Sequence, residues 1–257
     1  MRNLKILFFF PLMGILLSFV FISEARAFDM EGAVGIWRQD PSGNFSLDGD
    51  TLEGDSLDIE DDLKYDRDDN LIARVRLDLP GLFPNVYLMA TKVEFEETGR
   101  REEPFRFGNE VFQGSFESRL KYDHYDISVF YSIPLIKTAS LNRLNFDLGL
   151  NGRVVDLQAE VSQSGRTERE DLTAFVPMLF AAAQARPFKF LSIEGELRGL
   201  AISSQHLLDI IGRVKVKPTA FLFIAGGYRF EDIEVDQSGI AADFTIEGPF
   251  AEAGVEF

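Results

Sequence analysis

The sequence has no cysteine and only two histidines among its 257 residues. Without cysteine it offers no disulfide, no thiolate nucleophile and no Cys/His metal cluster. Basic residues are also few relative to acidic ones, 26 against 42, which gives a formal net charge of −16. Binding of nucleic acid requires clustered lysine and arginine, so this balance argues against a nucleic-acid partner.

A long apolar run is present only at the amino end. Arg2 and Lys5 precede an apolar stretch at 6–22, and the sequence Ala-Arg-Ala follows at 25–27. This layout predicts a secretory signal that is cleaved just before Phe28. An uncleaved membrane anchor is the alternative, because the run approaches spanning length. The small residues at the cleavage position favour removal.

The predicted mature chain, residues 28–257, is long enough for one domain with a real core or a closed barrel. Its net charge is −18, because residues 1–27 contain three basic residues and one acidic residue. Phenylalanine is common, and of the 25 in the sequence five lie in the predicted signal and 20 remain. This content suits a lipid-facing surface with aromatic girdles. The core of a soluble periplasmic β-sandwich would use phenylalanine as well.

Segments in which apolar and polar residues alternate recur along the mature chain, and alternation of this kind predicts β-strands. The predicted strands lie at 30–38, 71–79, 86–96, 119–133, 143–160, 172–186, 191–203, 207–217, 220–232 and 242–257. Long polar connections are predicted at 39–70, 97–118, 161–171 and 231–243. Most of the other connections are short. The pattern predicts an all-β fold, a transmembrane antiparallel up-and-down barrel of about ten strands with long extracellular loops and short periplasmic turns. The alternative is a barrel of eight strands, in which two of these segments are extensions of loops.

The chain ends in an alternating segment whose last residue is phenylalanine. Ala251, Ala253, Val255 and Phe257 are apolar, and the residues between them are glutamate or glycine. A free apolar edge strand is a hazard in a soluble protein, but it is expected if the strand closes a barrel in lipid. The segment resembles the closing strand of Gram-negative outer-membrane barrels. That resemblance implies that Phe257, Val255 and Ala253 form an assembly signal, read by the barrel-assembly machinery.

Five further segments resemble one family of small outer-membrane β-barrel proteins of Gram-negative bacteria. They are WRQDPSG at 37–43, LDIEDDL at 57–63, PNV at 84–86, GYR at 227–229 and GPF at 248–250. The likeness covers nearly the whole mature chain, and it implies the location and the fold but no reaction. We expect export through the general secretion route, and a monomer in contact with outer-membrane lipid and lipopolysaccharide.

Charged residues occupy the strand faces opposite the apolar ones. They are Arg74, Arg76, Asp78, Asp126, Asp147, Glu194, Glu196, Arg198, Asp209, Arg213, Lys215, Arg229, Glu252 and Glu256. A lysine or arginine facing lipid costs about 2–4 kcal/mol near the midplane, so these residues are predicted to point into the lumen. Similar numbers of both signs suit an interior closed by ion pairs, whereas a selective pore more often has an excess of one sign. We predict a structural or narrow-pore barrel.

The loop predicted at 39–70 is strongly acidic. Its candidate ligands for a metal ion are Asp58, Glu60, Asp61, Asp62, Asp66, Asp68 and Asp69. Ca²⁺ and Mg²⁺ take oxygen ligands, and such ions would bridge the loop to lipopolysaccharide phosphates. The spacing is not that of an EF-hand, and an acidic loop is usually kept soluble by its charge. We therefore predict no cofactor, with loosely bound Ca²⁺ or Mg²⁺ as the alternative.

The two histidines carry the enzyme alternative. His124 and His206 are predicted to lie near loops, where an outer-leaflet lipid or peptide hydrolase would place its catalytic base. Asp123, Asp126 and Ser204 are near them in sequence, but no spacing resembles the motifs of such enzymes. We predict that the protein is not an enzyme. The alternatives are a hydrolase that uses His124 or His206 and a soluble periplasmic β-sandwich binding protein.

Overall fold

Antiparallel strands make up almost the whole structure. This computed structural model describes residues 28–202, 205–237 and 239–257, so the predicted signal at 1–27 lies outside the described residues. The strands are β1 (Asp29–Leu47), β2 (Leu57–Asp58), β3 (Asp68–Asp78), β4 (Asn85–Thr91), β5 (Glu94–Phe107), β6 (Glu110–Ser132), β7 (Leu144–Gln163), β8 (Arg166–Phe188), β9 (Leu191–Ile202), β10 (Gln205–Val216), β11 (Leu222–Gln237) and β12 (Ile240–Glu256). A short helix, α1 (Pro134–Ala139), lies between β6 and β7. No helix in the described part of the chain is long and apolar enough to span a membrane.

The strands form one closed barrel with ten strand positions around the ring, and we call each position a stave. Sequential neighbours pair in order, and β12 pairs with β1 to complete the ring. β4 and β5 are two parts of one stave, because both pair with β6 in the same register and are separated only by Lys92 and Val93. β2 is a two-residue strand within the first loop that pairs with β1. The predicted ten-strand barrel is confirmed, and the eight-strand alternative is wrong.

Each stave places apolar side chains outside and mostly polar or aromatic side chains inside. On β6 the outward residues are Tyr125, Ile127, Val129 and Tyr131, and the inward residues between them are His124, Asp126, Ser128 and Phe130. The outward set is 42–57% exposed, whereas the inward set is at most 1% exposed. An apolar belt around a closed barrel with charges inside is the arrangement of a membrane-spanning barrel. A soluble β-sandwich has the opposite arrangement, so that alternative is wrong.

Connections at one end of the barrel differ from the prediction. The segments expected as loops at 97–118, 161–171 and 231–243 are largely strand, because three hairpins continue past the apolar belt. β5 and β6 meet at a turn at 108–109, and β7 and β8 meet at 164–165. Charged residues on their outer faces suggested loops, but buried rings alternate with them. These rings are Phe105, Phe107, Phe112 and Phe116.

The opposite end carries both chain ends of the barrel, and its connections stop near the apolar belt instead of extending beyond it as hairpins. In bacterial outer-membrane barrels the short turns face the periplasm, and we call this end the periplasmic end. Phe257 and Met30 exchange backbone hydrogen bonds of 2.9 and 3.1 Å, which join the last stave to the first. Ala253, Val255 and Phe257 face outward, and Phe257 is 63% exposed. Their role as an assembly signal stays a prediction.

Pro249 interrupts pairing without changing the register of the closing strands. Trp37 pairs with Phe250 and Asp40 pairs with Glu247, so the intervening residues leave a gap and no bulge. Trp37 fills this gap by donating its indole N–H to the carbonyl oxygen of Gly248 at 3.1 Å. Pairing is therefore interrupted at Pro249, and a buried side chain spans the gap.

Two staves come into close contact at Gly227. A Cβ atom built there would lie 2.0 Å from the carbonyl oxygen of Gly212, whereas nothing lies within 4 Å of one built at Gly212. We expect Gly227→Ala to lower the free energy of unfolding by about 1–3 kcal/mol and Gly212→Ala to change it by less than about 0.5 kcal/mol. Urea titration of detergent-refolded protein measures both, and equal stability of the two variants would contradict this packing.

Candidate functional site in the barrel lumen

A group of charged side chains fills the middle of the lumen. This central cluster consists of His124, Asp126, Arg153, Arg198, Asp209, Arg229 and Glu231, none more than 1% exposed. The residues come from β6, β7, β9, β10 and β11, and strand alternation turns each of them inward. Charges of both signs therefore meet where no water or lipid reaches them, and each has to be paired within the protein.

Arg153 is the centre of this cluster. Its guanidinium donates to Asp126 at 2.9 Å, to Asp209 at 2.6 Å and to Glu231 at 3.2 Å. The three carboxylates come from three different staves, so one side chain on β7 ties together β6, β10 and β11. Removal of one member of such a set leaves buried charge without a partner.

Arg229 completes the cluster on the side of the closing strand. It donates to Asp209 at 2.9 and 3.0 Å and to the Thr91 hydroxyl at 2.8 Å, and it also donates to Glu231. Its guanidinium lies 4.7 Å from the centre of the Trp37 ring. A cation over an indole face gains further stabilisation when both are away from water.

His124 lies inside this cluster, contrary to its predicted position near a loop. Its Nε2 atom is 3.1 Å from Glu231 and 3.1 Å from Arg229, and its side chain is fully buried. The prediction failed because β6 begins at Glu110, fourteen residues before His124, so His124 lies in the middle of a strand and far from the turn. An imidazole enclosed in this way is separated from the membrane surface, where a lipid or peptide substrate would have to reach it.

A second group of charges lies between the central cluster and the periplasmic end. This periplasmic cluster consists of Glu31, Arg74, Arg76, Asp78, Asp147, Glu194, Glu196, Arg213, Lys215, Glu252 and Glu256. Arg74 pairs with Glu31 at 2.6 Å and with Glu252 at 2.7 Å. Arg213 pairs with Glu196 at 2.6 Å. Arg198 joins the two clusters, because it contacts both Glu196 and Asp209.

The structure places every lumen charge named from the sequence in one of these two clusters. Three further members, Glu31, Arg153 and Glu231, were not named. Arg153 lies six residues after Asp147 on β7, so both side chains are on the same face of the strand. Strict alternation along β7 would therefore have predicted that Arg153 points into the lumen. Glu231 lies where the predicted strand 220–232 overlaps the predicted loop 231–243, and extending the alternation from Arg229 would have found it.

A cavity of about 370 Å³ lies at the periplasmic end of the lumen. Acidic and basic residues line it together, among them Asp29, Arg76, Arg186, Glu194 and Glu256. It ends at the periplasmic cluster, so it is a vestibule and does not extend through the central cluster.

The extracellular end of the lumen is closed by the first loop, which runs from 48 to 67. Four apolar side chains of this loop are at most 6% exposed and belong to the same apolar core as Trp37; they are Leu57, Ile59, Leu63 and Tyr65. We call these four side chains the apolar plug. The acidic residues that flank them point outward, and the loop is therefore amphipathic, with one face in the barrel mouth.

The carboxylates of this loop do not assemble into a metal site. Within the described residues, no group of three or more Asp, Glu, His or Cys side chains is placed to hold an ion. Asp58 instead accepts the backbone N–H groups of Glu60 and Asp61 at 2.9 and 2.7 Å, and Asp62 accepts that of Asp58. Two of the other candidates accept the backbone N–H of the next residue, and the third forms an exposed ion pair with Arg38. They are Asp66, Asp68 and Asp69.

His206 faces outward on β10, next to carboxylates of β11. Its two ring nitrogens lie 2.8 Å from Asp232 and 2.8 Å from Glu234. The hydrogen bond that His206 donates to Asp232, followed by the charges of both carboxylates, raises the pKa of His206 above 6.5. Two carboxylates beside an imidazole stabilise its protonated form, which opposes a role as general base. Ser204, its candidate partner, lies outside the described residues.

The raised pKa of His206 has a measurable consequence. A raised pKa means that the protonated imidazole stabilises the fold below pH 6.5 and that this contribution is lost as pH rises through the folded-state pKa. We expect NMR titration in detergent micelles to give His206 a pKa above 6.5, and Asp232→Asn to lower it. A wild-type pKa at or below the ordinary value would contradict the geometry.

Comparison with known proteins gives similarity at the level of solved structures only. No protein-family model matches the chain, and no curated protein matches it. The chain superposes on Ail, the attachment invasion locus protein of Yersinia pestis, with a TM-score of 0.40 and 11% identity, covering 90% of this chain and 100% of that one. For the translocator domain of the autotransporter NalP from Neisseria meningitidis the TM-score is 0.43 and the identity 8%, covering 96% and 95%. For neisserial surface protein A the values are 0.33 and 9%, covering 91% and 100%.

At such identities residue roles do not transfer between chains. The class of this protein follows from its own geometry: a closed ring of strands, an apolar belt outside and paired charges inside. Those features define a membrane-spanning β-barrel of outer-membrane type.

Proposed function

We propose that the protein is a closed, non-conducting barrel of the outer membrane that holds an ordered sheet extension at the cell surface. The observation that carries this proposal is the central cluster, whose side chains at most 1% exposed meet across the lumen. The apolar plug forms a second barrier on the extracellular side. A solute would have to displace both.

The narrow-pore alternative has less support. A conducting path needs polar groups that face water and exchange their partners with a passing ion. In the central cluster Arg153 and Arg229 instead bind carboxylates of other staves directly. Breaking those pairs to admit an ion would expose buried charges to each other at a high cost.

The hairpins beyond the apolar belt support the second half of the proposal. β5, β6 and the first loop bury aromatic rings against one another, for example Phe105 against Phe116 at 4.9 Å. The loop is also tied to β5 by a backbone hydrogen bond from Arg100 to Asp62 at 3.0 Å. The surface end is thus a folded extension whose buried rings continue the apolar core of the barrel, suited to presenting a fixed surface to the medium.

Biogenesis and oligomeric state form part of the same proposal. We infer that residues 1–27 are removed on export, that the assembly machinery reads Phe257, Val255 and Ala253, and that the barrel acts as a monomer among lipid and lipopolysaccharide. The outward placement of the three C-terminal residues supports their recognition from the membrane side. A closed ring of strands, which leaves no open stave, supports a monomer.

Because the chain has no cysteine, single-cysteine labelling tests whether the lumen is closed. Ser128→Cys places a thiol at a fully buried lumen position, and Ser115→Cys places one on an exposed hairpin face. We expect a charged maleimide to label the folded Ser115→Cys variant rapidly and to label Ser128→Cys only after unfolding. Similar labelling rates in the two folded variants would overturn the proposal.

A further inference from the structure

Two neighbouring connections at the periplasmic end form a basic surface on an acidic protein. The segments 133–146 and 184–192 contain no aspartate or glutamate. They carry four exposed cations, Lys137, Arg143, Arg186 and Lys189. The segments touch each other, because the N–H of Arg186 donates to the carbonyl oxygen of Arg143 at 2.7 Å. We call these four cations the basic lip.

The cations of the basic lip differ from the other cations near the edges of the apolar belt. Among the described residues, no ion pair joins any of the four to a carboxylate, whereas Arg38, Arg119 and Lys121 near the extracellular edge are each paired within 3.1 Å. Elsewhere at the periplasmic end Lys217 is paired with Glu256 at 2.8 Å. The basic lip is therefore free to bind an anion from outside the protein.

Exposed apolar side chains surround these cations. They are Leu135, Leu141, Phe188 and Phe190, between 54% and 83% exposed. The rings of Phe188 and Phe190 stack with centroids 5.5 Å apart. Large apolar side chains next to lysine and arginine are typical of the boundary between a membrane and water, where acyl chains and headgroups are both in reach.

The surface is continuous with the lipid-facing belt. Leu144, Phe146 and Leu148 follow it along β7, face outward and are 41–57% exposed. A lipid whose chains lie against these residues would place its headgroup at the basic lip. Lysine and arginine near a membrane surface favour anionic lipids over zwitterionic ones.

We propose that the basic lip binds the phosphate headgroup of an anionic phospholipid in the periplasmic leaflet. The occupant follows from two matches, unpaired positive charge for the phosphate and adjoining apolar side chains for the acyl chains. The basic lip lies at the rim of the barrel mouth, where Lys137 and Arg186 also line the vestibule, and the proposal does not depend on whether the central cluster closes the lumen.

Native mass spectrometry of the detergent-solubilised mature protein tests this proposal, with phosphatidylglycerol and phosphatidylethanolamine added in equal amounts. We expect phosphatidylglycerol to be bound at least about tenfold more tightly. A variant with Lys137→Gln, Arg143→Gln, Arg186→Gln and Lys189→Gln should lose this preference. Millimolar inorganic phosphate should not displace the bound lipid, because it has no acyl chains to contact the apolar side chains.

A matched control separates a local site from an effect of net charge. A variant with Arg100→Gln, Arg106→Gln, Arg166→Gln and Arg169→Gln changes the net charge by the same amount at the opposite end, and it should keep the preference. Gel migration without boiling shows whether each variant is folded. No preference in the wild type, equal loss in both variants, or displacement by inorganic phosphate would overturn the proposal.

Discussion

Replacing Arg153 by alanine is expected to lower the free energy of unfolding of the barrel by about 3–5 kcal/mol. Arg153 is the common partner of Asp126, Asp209 and Glu231, and all four side chains are fully enclosed. Without the guanidinium, three carboxylates share a dry site with fewer cations, and each then has to be protonated or reach water. Urea titration of the refolded protein in detergent, read by gel migration without boiling, measures the loss.

A matched variant shows whether burial is the cause. Arg169→Ala removes an arginine from the neighbouring stave whose ion pair with Asp171 is exposed, and we expect a change below about 1 kcal/mol. Adding Asp126→Asn to Arg153→Ala should recover part of the lost stability, because the two residues are in direct contact. Similar losses from Arg153→Ala and Arg169→Ala would show that the central cluster is not the buried network described above.

Introducing a charge into the apolar plug is expected to destabilise the attachment of the first loop to the barrel mouth, by a free energy similar to the loss expected for Arg153→Ala. Ile59 is fully buried, and Ile59→Asp would place a carboxylate among apolar side chains at a cost of several kcal/mol. We expect the loop to leave the barrel mouth while the staves stay closed. Trypsin would then cut after Lys64 and Arg67 in the intact barrel, faster than in the wild type by on the order of 100-fold.

The control for this experiment is a change on the outer face of the same loop. Glu60 is exposed, and we expect Glu60→Ala to leave the cleavage rate unchanged. Mass spectrometry of the fragments locates the cut, and gel migration shows whether the barrel is still folded. Rapid cleavage of the wild-type loop after Lys64 would contradict a buried plug, since an anchored loop does not fit a protease site.

The membrane-spanning part of the fold could be predicted well from the sequence, for a simple physical reason. Each stave in the apolar belt has lipid on one side and the lumen on the other, so apolar and polar residues alternate with little exception. That contrast identified strands such as 71–79 and 207–217 to within a few residues of β3 and β10. It also assigned charges such as Arg74 and Lys215 to the lumen, where the structure places them.

Beyond the membrane the contrast disappears, and the prediction from sequence failed there. Both faces of β5 and the start of β6 carry charges, so 97–118 read as a loop although its backbone is paired throughout most of its length. The segment 39–70 was interpreted as a solvated acidic loop, because its twelve carboxylates hid the four apolar residues that turn inward. The order and register of the staves decide which side chains pair across the lumen. The alternation along a single strand gives no information about either.

Conductance of the refolded mature protein in a planar lipid bilayer tests the central claim most directly. A lumen obstructed by the central cluster and by the apolar plug predicts a silent membrane, with no current steps at any applied voltage that the bilayer tolerates. Reproducible unitary steps from pure, folded wild-type protein would show an open path through the barrel and contradict the account.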